Sequence, residues 1–185
     1  MHVLKPTKEG LEAARGKTVP DVIAPNLHIL FCGINPGLYS GATGHHFARP
    51  GNRFWPVLHA AGFTDRILSP FEEQELLKRG YGITNIVSRT TANAAELSLS
   101  ELGEGAKRLT KTVLKYQPRI VSVLGVEAYR KAFGRRDASL GLQEERIGDS
   151  RVWILPNPSG LNAHYQLKDL AKLFRQLREA SQRQL

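Results

Sequence analysis

An α/β fold, with a central, mostly parallel sheet flanked by helices as a three-layer sandwich, is predicted for this 185-residue chain by three observations. Short apolar runs of strand length alternate with segments of helical spacing, the order that builds parallel sheets with crossover helices. The runs Leu27 to Ile34 and Arg119 to Gly125 are apolar almost throughout, as strands covered on both faces are. Two serines, Ser69 and Ser98, stand three residues ahead of glutamates and so announce helices by capping boxes.

Residues 1–25 carry scattered Lys, Pro and Gly and read as an extension, with a helical turn possible at Leu11 to Arg15; 26–185 read as a single domain. Leu27 to Ile34 is the first strand. Asn52 offers an N-cap to a short helix over Arg53 to Ala61, whose Pro56 is tolerated in the first turn, and Gly62 ends it. Ser69-Pro70-Phe71-Glu72 starts a helix that stops at Gly80. Gly82 to Val87 is the second strand, left by the polar stretch Ser88 to Asn93. A helix from Ser98 reaches Tyr116, where Pro118 prevents extension, and Arg119 to Gly125 is the third strand. Val126 to Phe133 is a helix stopped by Gly134. Glu144 to Leu155 is either a hairpin or a bend before a strand, interrupted at Gly148-Asp149. After the loop Pro156 to His164, a last helix runs from Gln166 to Gln182 with Leu167, Leu170, Leu173, Phe174 and Leu177 on one face and many basic residues on the other, a solvated face.

The balance of 26 Lys+Arg against 17 Asp+Glu, a formal charge of +9, favours a polyanionic partner such as nucleic acid or an anionic membrane surface. No apolar run approaches the ~18 to 20 residues of a membrane span, and the first ten residues lack the apolar core of a signal peptide. We therefore expect a soluble, cytoplasmic protein. Its one cysteine, Cys32, excludes an intrachain disulfide and fits a small buried side chain.

Ligands of open α/β sheets bind beyond the carboxyl ends of the strands. The loops after Ile34, Val87 and Leu155 leave such ends and should converge on one cleft. In Gly33-Ile34-Asn35-Pro36-Gly37 the GxxxxGK[ST] pattern is absent, so this is not a phosphate loop. Pro36 pushes Asn35 towards extended backbone. Its carboxamide then either bonds the turn backbone or points into the cleft, where it can accept from a water and donate to a substrate oxygen. His45 and His46 are adjacent, with no carboxylate or cysteine at ligand spacing, so no metal site is expected. Phe47 is a large apolar group in a Gly-rich loop, which suggests packing or stacking. In Pro156-Asn157-Pro158-Ser159-Gly160-Leu161 two prolines stiffen a loop with an apolar tip. Leu161 is either a wedge for a base stack or a residue packed beneath the last helix.

Taken together, Gly33-Ile34-Asn35-Pro36-Gly37, Gly51-Asn52-Arg53-Phe54-Trp55 and Asn157-Pro158-Ser159-Gly160-Leu161 strongly resemble the mismatch-specific uracil-DNA glycosylases, relatives of the thymine-DNA glycosylases. The resemblance spans about residues 26–180. It implies the uracil-DNA glycosylase fold and a cofactor-free monomer that excises uracil, and ethenocytosine or related adducts, from G·U and related mispairs in double-stranded DNA. By position it makes Asn35 the catalytic residue that places the water and Phe47 the aromatic that stacks on the flipped base. The backbone N–H groups of Ile34 and Phe47 would meet the base oxygens, with Gly37 and Tyr39 completing the substrate-binding set. Leu161 would plug the vacated stack and Gly160 and Asn162 contact the orphaned guanine, while Asn157, Ser159 and His164 complete the DNA-binding set. Ala163 stands where many relatives carry an arginine. Asn35 stands where the wider superfamily has a carboxylate, and an amide accepts no proton at neutral pH; Glu96 is the nearest acid after the second strand. No lysine occupies a motif position, which implies an abasic product without strand cleavage. A non-catalytic nucleic-acid-binding α/β module is the alternative reading of the same charge.

Overall fold

The computed structural model describes residues 5–183. Five strands, β1 (Ile29–Gly33), β2 (Tyr81–Asn85), β3 (Ile120–Leu124), β4 (Gly141–Ile147) and β5 (Ser150–Leu155), form one sheet in the order β2-β1-β3-β5-β4. All neighbours are parallel except β4, which runs antiparallel to β5. The helices are α1 (Lys8–Glu12), α2 (Leu38–Thr43), α3 (Phe54–Ala60), α4 (Leu99–Tyr116), α5 (Val126–Phe133) and α6 (Leu167–Gln182).

Every residue of β1, β2 and β3 is buried, which is why β1 and β3 read as nearly continuous apolar runs rather than alternating ones, while β2 buries the polar Thr84 and Asn85. On one face Ile29, Phe31 and Ile83 pack with α3 and α6. Phe31 is the centre of that layer: its ring meets Phe54 and Phe63 edge-on at 5.5 Å and stacks on Phe174 at 6.2 Å. On the other face Leu30, Cys32, Val121 and Val123 pack with α4 and α5. Burial pushes the Cys32 thiol far up, so it stays protonated and inert there.

Both capping boxes form, on Ser69 and on Ser98. The first opens a 3-10 helix over Pro70–Arg79, kinked at Glu72, in place of an α-helix. The Glu144 to Leu155 stretch is a hairpin, turned at Gly148-Asp149 with Gly148 at φ +58°. The polar loop after Pro36 contains a helix the sequence did not announce, α2, capped by Gly37 and ended by left-handed Gly44. In α6, Leu170, Phe174 and Leu177 are buried while Leu167 is exposed, so the apolar face is narrower than its leucines suggest. The segment ahead of β1 lies along the outer edge of β2, where Val22 bridges Ile83. Ala14, Val19 and Val22 of that segment are buried.

At the same end of the sheet, α4 crosses the exit of β2 so closely that a Cβ on Gly105 would sit 2.4 Å from the Ile86 carbonyl oxygen and 2.9 Å from its Cγ2. We predict that Gly105→Ala lowers the urea midpoint. Alanine adds about 1 kcal/mol of helix propensity, but pushing α4 off Ile86 costs about 1 to 3 kcal/mol of overpacking. A raised midpoint would show that α4 can retreat at no cost.

Candidate active site

The loops leaving β1, β2 and β5 meet at a cavity of about 470 Å³. Ile34, Asn35, Gly37 and Phe47 line it from the first loop, Asn85 and Thr91 from the second, and Asn157, Ser159, Leu161 and Asn162 from the third. Tyr39 and His164 are not among its lining residues, and Gly160 borders a neighbouring hollow shared with Gly51 and Asn52. Tyr39 lies in the first turn of α2, where its carbonyl accepts from the Thr43 hydroxyl. His164 is exposed beyond the tip of its loop.

Asn35 sits at the sharp exit of β1. Its Nδ2 donates to the Arg89 carbonyl at 3.0 Å and to Thr91 Oγ1 at 2.7 Å, with the Pro36 carbonyl at 3.2 Å. A carbonyl only accepts, and Thr91 Oγ1 spends its own proton on the Asn93 carbonyl at 2.9 Å. Both acceptors therefore demand the amide nitrogen, and the orientation of the carboxamide is determined. Its oxygen has no hydrogen-bond donor among the described residues and is left to accept. The nitrogen thus bonds the turn and the neighbouring loop and has no proton left to donate to a substrate oxygen, while the oxygen remains available to the cavity.

Phe47 adopts φ +53° and stacks on Phe54 at 4.1 Å, leaving its other side to the cavity. Gly33 permits this approach, since a Cβ there would lie 3.3 Å from Phe47 Cζ and 2.4 Å from Asn85 Oδ1. The backbone N–H groups of Ile34 and Phe47 have no protein acceptor among the described residues. The turn around Phe47 is held by Glu73, a buried carboxylate that accepts from the His46 N–H and pairs with His45 Nδ1, both at 2.8 Å. Ser40 Oγ accepts from the Ala48 N–H at 3.2 Å. His46 is buried. Its Nε2 faces the Pro20 carbonyl at 2.8 Å and so carries the proton, which makes Nδ1 the acceptor for Asn85 Nδ2 at 3.3 Å. The adjacent histidines are thus occupied by a buried carboxylate and by a polar chain from Pro20 to Asn85.

The third loop is strapped to the start of α3. Arg53 N–H donates to the Pro158 carbonyl at 3.0 Å, and the guanidinium donates to the carbonyls of Ser159 at 2.5 Å, Asn162 at 2.9 Å and Tyr165. Gly160 passes so close that a Cβ would be 2.6 Å from the Gly51 carbonyl oxygen. Within the loop, Asn157 Oδ1 accepts from the Ser159 N–H and Ser159 Oγ from the Leu161 N–H. Leu161 is 74% exposed at the tip. It does not pack beneath α6, which removes one of its two sequence readings.

Asn85, Glu73 and Arg53 are the residues whose parts the sequence did not reveal. Asn85 had a signal, a polar residue ending an apolar strand. No carboxylate lines the cavity among the described residues. Glu96 is turned away, with Oε2 on Arg15 at 2.7 Å and Oε1 accepting from the Asn93 N–H at 3.0 Å.

Burial pushes the His46 pKa below its ordinary 6.5, outweighing the Pro20 hydrogen bond and the charge of Glu73. Since the unfolded chain then binds the extra proton more readily, stability is full above pH 6.5 and is lost as pH falls through that value towards the depressed one. We predict that the urea midpoint, followed from about pH 8 to pH 5, declines in the lower half of that range and that His46→Gln flattens the decline. An unaltered slope in the variant would place the titration elsewhere.

The chain from 20 to 179 matches the family model described as the uracil DNA glycosylase superfamily. Its structure is similar to the solution structure of a Methanosarcina acetivorans protein provisionally named a uracil DNA glycosylase. The two share 20% identity over 88% of this chain and 98% of that one, with a TM-score of 0.58, and so a common fold. A match over most of its length, on a sheet whose loops build this cavity, shows that the chain belongs to the uracil DNA glycosylase superfamily.

Proposed function

We propose that the protein is a monofunctional, mismatch-specific uracil-DNA glycosylase acting as a monomer on G·U mispairs and on bulky pyrimidine adducts such as ethenocytosine. The observation that carries this reading is the Asn35 carboxamide, its nitrogen bonded to Arg89 and Thr91 and its oxygen left to accept in a cavity shared with Phe47. Uracil in a duplex cannot reach such a cavity without leaving the stack, which costs a few kcal/mol and least for a mispaired base. Leu161, exposed on a loop braced by Arg53, suits insertion into the gap. The extruded ring would lie on the free side of Phe47, with its oxygens towards the N–H groups of Ile34 and Phe47.

Cleavage of the C1′–N1 bond leaves both electrons on uracil and a positive charge on the sugar. Donors aimed at the departing anion would lower that barrier, one such donor being worth roughly 2.7 to 4 kcal/mol. A water accepted by Asn35 Oδ1 then adds to C1′ and gives up its proton to solvent or to the uracil anion. The products are free uracil and an abasic site. Asn35 orients the water and takes no proton.

Labelled duplexes carrying U, T or ethenocytosine opposite G or A, incubated with the protein and cleaved by alkali at abasic sites, test this. We expect strand breaks at U·G and at ethenocytosine, and none before alkali. Asn35→Ala should slow single-turnover release by roughly 10²-fold or more while retaining duplex binding; an unchanged rate would sink the assignment. Leu161→Ala should impair release from duplexes more than from single strands, and equal loss on both would remove the wedge.

A further inference from the structure

We infer that the arm Thr7 to Pro20 is a positioning element of the site, holding the loop that orients the Asn35 carboxamide. The inference rests on the catalytic reading of Asn35. All of the arm but Pro20 lies ahead of the segment matched by the family model, residues 20–179.

The loop Arg89 to Asn93 supplies both principal acceptors of Asn35, and its other side is bonded to the arm. Gly16 N–H donates to the Thr90 carbonyl at 2.9 Å, and the Lys17 carbonyl accepts from Thr90 N–H at 2.8 Å and from Thr90 Oγ1 at 2.7 Å. Thr18 bridges Arg89 in antiparallel register. These contacts make a short ladder whose neighbouring carbonyl, that of Arg89, receives Asn35 Nδ2. Thr90 is fully buried between the arm and α2; it packs so closely on Gly41 that a Cβ there would lie 2.6 Å from its Oγ1.

A second chain of contacts runs through side chains. Arg15 pairs with Glu96 at 2.7 Å, Glu96 accepts from the Asn93 N–H, the Asn93 carbonyl accepts from Thr91 Oγ1, and Thr91 Oγ1 accepts from Asn35. At its far end the arm also reaches the Phe47 side, through the Pro20 carbonyl and His46 Nε2. Arg15 and Glu96 are both substantially exposed, so their pairing adds little to overall stability. Its effect falls on the placement of the loop, where a displacement of about 1 Å costs roughly 10²-fold in rate.

The arm is loosened in the full-length chain by Arg15→Ala and by Gly16→Val, the latter straining the backbone by placing a β-branched residue at φ +79°, where its Cβ meets no neighbouring atom within 4 Å. Single-turnover rates at saturating enzyme, affinity for a duplex bearing a non-hydrolysable uracil nucleotide, and thermal midpoints are measured. We expect the double variant to release uracil roughly tenfold or more slowly, with affinity changed less than twofold, and Arg15→Lys to keep most of the rate. In the Asn35→Ala background the same changes should cost nothing further, because the group they position is gone. A double variant with a rate within twofold of the parent, or one whose loss is fully additive with Asn35→Ala, overturns the inference. Absence of release by the unmodified protein from any duplex would overturn the glycosylase reading itself, a distinct result.

Discussion

The amide nitrogen of Asn35 is held by a carbonyl and by a hydroxyl whose proton is already committed, and the rest of the site depends on that constraint. A carboxamide is nearly symmetric in shape, so only its partners decide which end faces a ligand. Here both partners require a donor. The oxygen therefore faces outward at no further energetic cost, and β1, its Pro36 turn and the Arg89 to Asn93 loop are the minimum scaffold that achieves it. A free Asn35 would hydrogen-bond as readily through the wrong atom.

Close approach governs the remaining geometry. Gly33 brings Phe47 and Asn85 against the end of β1, and Gly160 lets the third loop rest on Gly51. A side chain at Gly33 would displace those of Asn85 and Phe47, and one at Gly160 would meet the backbone of Gly51. Arg53 uses its guanidinium on backbone carbonyls of that third loop, so a residue of a strongly basic protein is spent on internal bracing rather than on a polyanion. Glu73 does the corresponding work for the turn at Phe47, offsetting its desolvation with two charge-assisted hydrogen bonds.

What was legible in the sequence is what local physics decides. The apolar runs of β1 and β3 announce burial on both faces, and the serine and glutamate of each capping box meet within one turn. The convergence of three loops follows from strand order. The unread parts depend on partners far along the chain: Arg53 finds carbonyls more than a hundred residues later, and Glu73 finds His46 across 27. Neither has a local pattern that separates it from a surface residue. The arm reads as an extension because the ladder that joins it to the Arg89 to Asn93 loop is made by its backbone, which leaves no mark on residue type. Leu161 was undecided since exposure, not identity, separates a wedge from a core leucine.

Among the described residues no carboxylate lines the cavity, and on the reading proposed for Asn35 this gives these constraints their chemical meaning. A carboxylate can rotate and still present an acceptor to water, because both its oxygens accept. An amide has a single accepting oxygen and no capacity to take the proton. On the reading proposed for Asn35, placing the water with an amide instead of a carboxylate transfers the burden from basicity to orientation and to stabilisation of the departing anion. Such a site needs stiffer support than a carboxylate site. The hydroxyl at Thr91, the two-way bonding of Thr90 and the buried Glu73 turn are the form that support takes in this chain.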